Sequence, residues 1–97
     1  MIQRLASPEA ACAWLRARVR GDLRVDSRQI GPGDGFVAWP GAATDGRKFV
    51  PSALAQGASA CLVEAQNLDA ALPAGLDHGT QAEHIASYAG LKAATGP

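Results

Sequence analysis

Asp26-Ser27-Arg28-Gln29-Ile30-Gly31-Pro32-Gly33-Asp34-Gly35-Phe36-Val37-Ala38-Trp39-Pro40-Gly41-Ala42-Ala43-Thr44-Asp45-Gly46 is the stretch that decides how this chain folds. Gly31-Pro32-Gly33-Asp34-Gly35 reads as a turn, because glycine supplies positive φ and proline presets φ near about −65°. Phe36-Val37-Ala38-Trp39 is an apolar run of strand length, stopped by Pro40-Gly41. Two clusters of polar and glycine residues bracket that strand. Side chains such as Ser27 and Thr44, with the backbone N–H groups of Gly41 to Asp45, can then converge beyond its carboxyl end, where open α/β sheets place their ligands.

Working outward, Ser7-Pro8-Glu9 is a helix start. Ser7 can accept from the first free N–H groups, Pro8 suits the first helical position, and Glu9 suits the positive end of the dipole. Trp14 and Leu15 are the expected core contacts of that helix, which ends near Val19. Met1 to Arg4 reads as the lead into it. Leu23 to Val25 is short and β-compatible, and Asp26-Ser27-Arg28 ends it with groups that favour turns over ladders. Beyond the central stretch, Lys48 to Gln56 reads as a helix with Pro51 in its first turn and Gly57 past its end. Ala60 to Val63 reads as a strand, residues 65 to 83 are weakly patterned, and His84 to Tyr88 forms a last strand. Strand, turn, strand, loop, helix, strand is a βαβ pattern with a short crossover, which implies an α/β domain with some parallel pairing. Ala89 to Thr95 begins a helix just as the sequence stops, so the expectation is a piece of a longer protein.

Ninety-seven residues make a single domain, 1–97. A chain of this size buries roughly 60–70% of its unfolded surface, enough for one core. Hydrophobic content of 47% and charged content of 19% argue against wholesale disorder. A net charge of zero lacks the basic footprint of nucleic-acid binding. Six of the nine basic residues nonetheless fall in the first 28 positions, against Glu9, Asp22 and Asp26. That excess suits an anionic ligand such as a diphosphate, or simply a solvated helix face bearing Arg16, Arg18 and Arg20. No apolar run reaches the roughly 18–20 residues of a membrane span, and no signal peptide core is present, so the chain reads as cytoplasmic. Cys12 and Cys61 lie in Ala-rich apolar runs without metal-ligand spacing and read as buried, reduced thiols.

Each candidate site residue has two readings. Ser27 can bind a phosphate or sugar oxygen, or sit in an ordinary strand-end turn with Asp26 paired to Arg28. Gly41 to Thr44 is a loop of small residues that lets backbone approach a ligand, but it has neither the dinucleotide-binding glycine spacing nor a lysine after a glycine run. Asp45 reads as the cap of the following helix. His78 and His84 have no partner at metal spacing and read as surface residues. No nucleophile with an activating base can be argued, so the reading assigns no catalytic residue and no metal ligand.

The ordered series Asp26-Ser27-Arg28, Pro32-Gly33-Asp34-Gly35-Phe36-Val37-Ala38, Pro40-Gly41, Asp45-Gly46-Arg47-Lys48-Phe49 and Gly57 to Glu64 resembles the N-terminal domain of the Mur ligases. The type it most resembles adds the third amino acid of the peptidoglycan stem peptide. Residues 90–97 are similar to the helix before that family's central domain. The resemblance implies a small three-layer α/β domain whose mixed, partly parallel sheet is flanked by helices. It implies that this domain holds the uridine diphosphate end of UDP-N-acetylmuramoyl-L-alanyl-D-glutamate (UDP-MurNAc-L-Ala-D-Glu), with contacts that map to Val25, Ser27, Ala42, Ala43 and Thr44. Where relatives carry larger polar pairs such as His-Gln, this chain has Ala42 and Ala43, which leaves backbone for contacts there.

The resemblance also implies what lies elsewhere. The ATP-binding loop, the Mg2+ ligands and the amino-acid recognition motif belong to central and C-terminal domains beyond residue 97. There ATP would phosphorylate the substrate carboxylate and an incoming amine would attack the acyl phosphate, so a fragment of residues 1–97 is inactive alone. The implied partners are the UDP-sugar substrate and those further domains, with neither nucleic acid nor membrane. Three alternatives stay open: a non-catalytic nucleotide-binding or protein-interaction module, a structural fragment, and the related ligase that adds the terminal dipeptide.

Overall fold

The computed structural model describes residues 2–41, 44–73 and 83–91. Ala60-Cys61-Leu62-Val63-Glu64 is buried at every position, as a strand covered on both faces must be. It is the central strand, β4, of a five-stranded sheet. With β1 (Gln3–Leu5), β2 (Leu23–Arg24), β3 (Gly35–Ala38) and β5 (Ile85–Tyr88), the order across the sheet is β1-β5-β4-β3-β2. Every neighbouring pair is parallel. The α/β class read from the sequence holds, and parallel pairing extends through the whole sheet rather than part of it.

Alternation along the strands sorts the core into two layers. Phe36, Ala38, Cys61, Val63 and Ile85 face helix α2 (Val50–Ala55), packing on Val50 and Ala53. Val37, Ala60, Leu62 and Ala86 turn the other way, towards Ala11 and Trp14 of helix α1 (Pro8–Arg18). The α1 start is as read: the Ser7 hydroxyl accepts from the Ala10 N–H at 3.1 Å, and Val19 ends the helix by donating its N–H to the Leu15 carbonyl. Arg18 lies over the buried Trp14 ring, 4.7 Å from its centroid.

The chain between β2 and β3 is held by the Asp34 carboxylate, which accepts from the Asp22 and Gly31 N–H groups at 2.9 and 3.0 Å. These bonds, Gly31 first, hold its carboxyl below the usual carboxylate range. Gly21 makes the approach possible, since a Cβ there would meet an Asp34 carboxylate oxygen at 2.1 Å.

Several expectations change. Residues 3–5 are a strand rather than a lead into the helix, because pairing with β5 fixes three residues that have no periodicity of their own. The helix expected over 48–56 is split into a 3₁₀ turn, Gly46–Phe49, and the shorter α2. A short helix, α3 (Leu68–Ala71), occupies part of the weakly patterned stretch. Cys12 is exposed, since it falls on the solvent side of α1, whereas Cys61 is buried as read. His84 is exposed, and His78 and most of the expected 89–95 helix lie outside the described residues. Among the described residues no helix is long and apolar enough to cross a membrane.

Gly57 ends the turn after α2 at φ +104°, and a Cβ there would meet the Pro32 Cα at 2.9 Å. Its carbonyl also accepts from the Gly33 N–H. Gly57→Ala is therefore expected to destabilise the fold by about 1–3 kcal/mol. Urea unfolding checks this as a lower midpoint at unchanged slope.

Candidate functional site

In an all-parallel sheet the carboxyl ends of the strands share one edge. The chain leaving β2 (Val25 to Arg28) and described residues after β3 (Trp39, Gly41, Thr44, Gly46 and Phe49) border an open cavity of about 530 Å³ at that edge. Val25, Ser27 and Thr44, three of the five residues singled out from the sequence, line it together. The other two, Ala42 and Ala43, lie outside the described residues.

The cavity joins apolar walls to a few polar groups, the usual make-up of a small-molecule site. Val25 is 65% exposed and Phe49 37% exposed. Two of the large apolar side chains that the fold leaves open thus line this cavity, with Trp39 beside them. Ser27 supplies the polar counterpart. Its residue is 8% exposed and its carbonyl is held by the Gln56 side-chain amide at 2.8 Å. Its hydroxyl makes no hydrogen bond among the described residues, so it is available to a ligand. Trp39 and Phe49 were not singled out from the sequence, which placed them only at a strand end and on a helix face.

Two local turns of one design flank the cavity. In Asp26-Ser27-Arg28, one carboxylate oxygen of Asp26 accepts from the Arg28 N–H at 2.9 Å and from its Nε at 3.0 Å, and the other accepts from Nη2 at 2.8 Å. In Asp45-Gly46-Arg47, Asp45 repeats the pattern on Arg47 at 3.0, 3.0 and 2.8 Å. Each aspartate caps a 3₁₀ turn and grips the guanidinium two residues on, and each carboxyl is held low chiefly by that arginine side chain. Asp45 is thus the cap expected of it.

Burial separates the twins. The Arg28 side chain is 87% exposed and lines the cavity, whereas that of Arg47 is 3% exposed. Arg47 uses its remaining Nη1 to donate to the carbonyls of Glu64, at 2.7 Å, and Gln66. This tie from the cavity wall to the end of β4 was missed, although the repeated Asp-x-Arg spacing was its signal. Glu64 is a second buried group the sequence did not flag. Its carboxylate accepts from the N–H groups of Gln66, Gly90 and Leu91 at 3.0–3.1 Å, joining the ends of β4 and β5. Burial pushes the Cys61 thiol up to about 12, so it is inert as a nucleophile.

Comparison with known proteins finds one family over most of the chain. A family model described as "Mur ligase family, catalytic domain" matches residues 22–90. The UDP-N-acetylmuramoyl-L-alanyl-D-glutamate–2,6-diaminopimelate ligase of Acidovorax sp. (strain JS42) is 54% identical over 92 residues, which are 95% of this chain and 17% of that protein. The ligase of the same name from Vibrio parahaemolyticus is 41% identical over 66 residues, 68% of this chain and 13% of that protein. The UDP-N-acetylmuramoyl-tripeptide–D-alanyl-D-alanine ligase of Mycobacterium leprae is 48% identical over 56 residues, 58% of this chain and 10% of that protein. The chain therefore spans less than a fifth of the length of these relatives.

The Asp26 carboxyl is lowered from 3.8 to about 2 by Arg28, so its contribution to stability is complete above the ordinary carboxylate pKa. That contribution is lost as pH falls towards about 2. A carbon-detected NMR titration is expected to show this midpoint, and Arg28→Ala is expected to return it towards the ordinary value.

Proposed function

The chain belongs to the Mur ligase family, and on that premise we propose that it is the UDP-sugar-binding domain of an ATP-dependent amide ligase. That enzyme adds the third amino acid of the peptidoglycan stem peptide. The observation that carries the reading is the convergence of Val25, Ser27 and Thr44 on one cavity at the carboxyl edge of the sheet. The exposed apolar side chains of Val25 and Phe49 suit the flat face of a base, and the Ser27 hydroxyl offers a hydrogen bond to a nucleotide oxygen or nitrogen. The exposed Arg28 lies at the same cavity and suits a diphosphate.

The residues present do not fit an ATP–Mg2+ site. The sequence has no glycine-rich loop ending in Gly-Lys-Ser/Thr. Among the described residues there is also no group of three or more His, Cys, Asp or Glu suited to a metal. On this reading ATP and Mg2+ belong to other parts of the enzyme. This domain contributes binding and orientation: it grips the nucleotide so that a distant carboxylate is held where it reacts. The ligase that adds the terminal dipeptide is the second reading, favoured by the M. leprae relative.

The test is an NMR titration of the chain with UDP-MurNAc-L-Ala-D-Glu, with UMP and ATP for comparison. Expected are shifts centred on Val25 to Ser27 and Gly41 to Thr44 with the UDP-sugar, and silence with ATP. A folded chain that shows no shift at millimolar UDP-sugar sinks the proposal for the isolated domain. Ser27→Ala is expected to weaken binding by about 1 kcal/mol, roughly fivefold in Kd. Equal affinity for variant and parent removes Ser27 from the site.

A further inference from the structure

We propose that Arg47 is a positioning residue for the cavity: without touching the ligand, it fixes the wall formed by the chain after β3 and so sets ligand affinity. The identity of the ligand rests on the reading above, whereas the mechanical part rests on the geometry alone.

Arg47 does not line the cavity, but residues on either side of it do. Gly46 and Phe49 lie on the cavity, as do Gly41 and Thr44 of the preceding loop. Among its described residues the loop is held by a few backbone bonds. Gly41 donates to the Thr44 carbonyl at 2.8 Å, Gly46 donates to the Trp39 carbonyl at 3.1 Å, and Pro40 and Asp45 form an isolated bridge. No large side chain from Gly41 to Gly46 is available to bury, since the segment is Gly-Ala-Ala-Thr-Asp-Gly. A hydrophobic anchor is absent by composition, and a polar one stands in for it.

That anchor is the Arg47 guanidinium. Nε and Nη2 hold both oxygens of Asp45, while Nη1 holds the carbonyls of Glu64 and Gln66 at the end of β4. One buried, planar cation thus joins the base of the loop to the central strand of the sheet. Lysine cannot copy this, because a single ammonium cannot present two parallel donors to Asp45 and a third edge to two carbonyls. The exposed twin, Arg28, makes the same grip on Asp26 and, among the described residues, ties it to nothing further. Burial and the two extra carbonyls turn a common local turn into a strut.

The experiment compares the parent chain with Arg47→Lys, Arg47→Met and Ile85→Val. Ile85 is a core residue of β5 and does not line the cavity, so its variant controls for lost stability alone. UDP is the probe, with affinity measured by NMR titration and folding by thermal unfolding. Expected is about tenfold weaker UDP binding in Arg47→Met, less than the roughly hundredfold that a misplacement of about 1 Å can cost a reaction. Arg47→Lys should show partial recovery, and Ile85→Val unchanged affinity. Amide exchange of the ligand-free chains supplies an independent readout. Exchange at Gly41 and Gly46 should accelerate in the Arg47 variants far more than at Leu62 and Val63. Folded Arg47 variants that bind UDP like the parent overturn the proposal, as does failure of both to fold, which makes the residue purely structural. If the parent itself ignores UDP, the nucleotide reading fails, and the exchange data alone decide whether Arg47 positions the loop: no selective acceleration sinks it.

Discussion

Five parallel strands place every carboxyl end on one edge of the sheet, and the rest of the structure follows from that constraint. Parallel neighbours cannot be joined by hairpins, so each connection must cross the sheet and return. Both faces are then covered, which is why β3 and β4 are buried at every position instead of alternating with solvent. The connection from β2 to β3 is too short for a helix of any length. A 3₁₀ turn, the Asp34 carboxylate and the glycines around it do the work that a helix does elsewhere. The same geometry leaves two loops side by side at the carboxyl edge. The cavity between them is a consequence of topology before it is a matter of chemistry.

Chemistry enters through burial. The Asp26–Arg28 and Asp45–Arg47 turns share spacing, capping bond and guanidinium grip. The first stays in solvent, where an ion pair adds little beyond local order, and its cation remains available at the cavity. The second is enclosed, and an enclosed charge is costly unless it is paired and hydrogen-bonded. Asp45 and the carbonyls of Glu64 and Gln66 give each of its three nitrogens a partner. Glu64 repeats the principle with opposite sign, its buried carboxylate satisfied by three backbone N–H groups from beyond β4 and β5. Two buried ions at the end of one strand thus organise the edge on which the cavity lies.

Much of this was legible from sequence where the signal is local. Ser7-Pro8-Glu9 announces α1, the glycine-proline turn announces β3, and the apolar run 60–63 announces β4, because each depends on a few consecutive residues. The Ser27 and Thr44 sides of the cavity were legible for the same reason, since each sits where a turn ends a strand. What failed was non-local. Gln3-Arg4-Leu5 has no strand character until β5 lies beside it, and the length of α2 is set by the 3₁₀ turn that Asp45 caps. Arg47 looked like one more charged residue, because burial of a guanidinium depends on carbonyls 17 and 19 residues away. Trp39 read as the end of a strand and Phe49 as part of a helix, and only the fold shows that they border an opening.

On the proposed function, the shape of the cavity bears on how such a domain serves an enzyme. It is open and lined mainly by apolar side chains and a few hydrogen-bonding groups, so it can hold one end of an elongated ligand without enclosing it. Contacts at a remote end are made equally in ground state and transition state unless they also fix the position of the reacting end. A loosely held wall would give affinity without orientation. The wall here is tied through Arg47 to the central strand, which couples the cavity to a strand buried at every position. Rigidity of that kind lets binding at a nucleotide restrict the motion of a carboxylate many bonds away, and it explains why a buried cation, costly to desolvate, belongs beside a site it never touches.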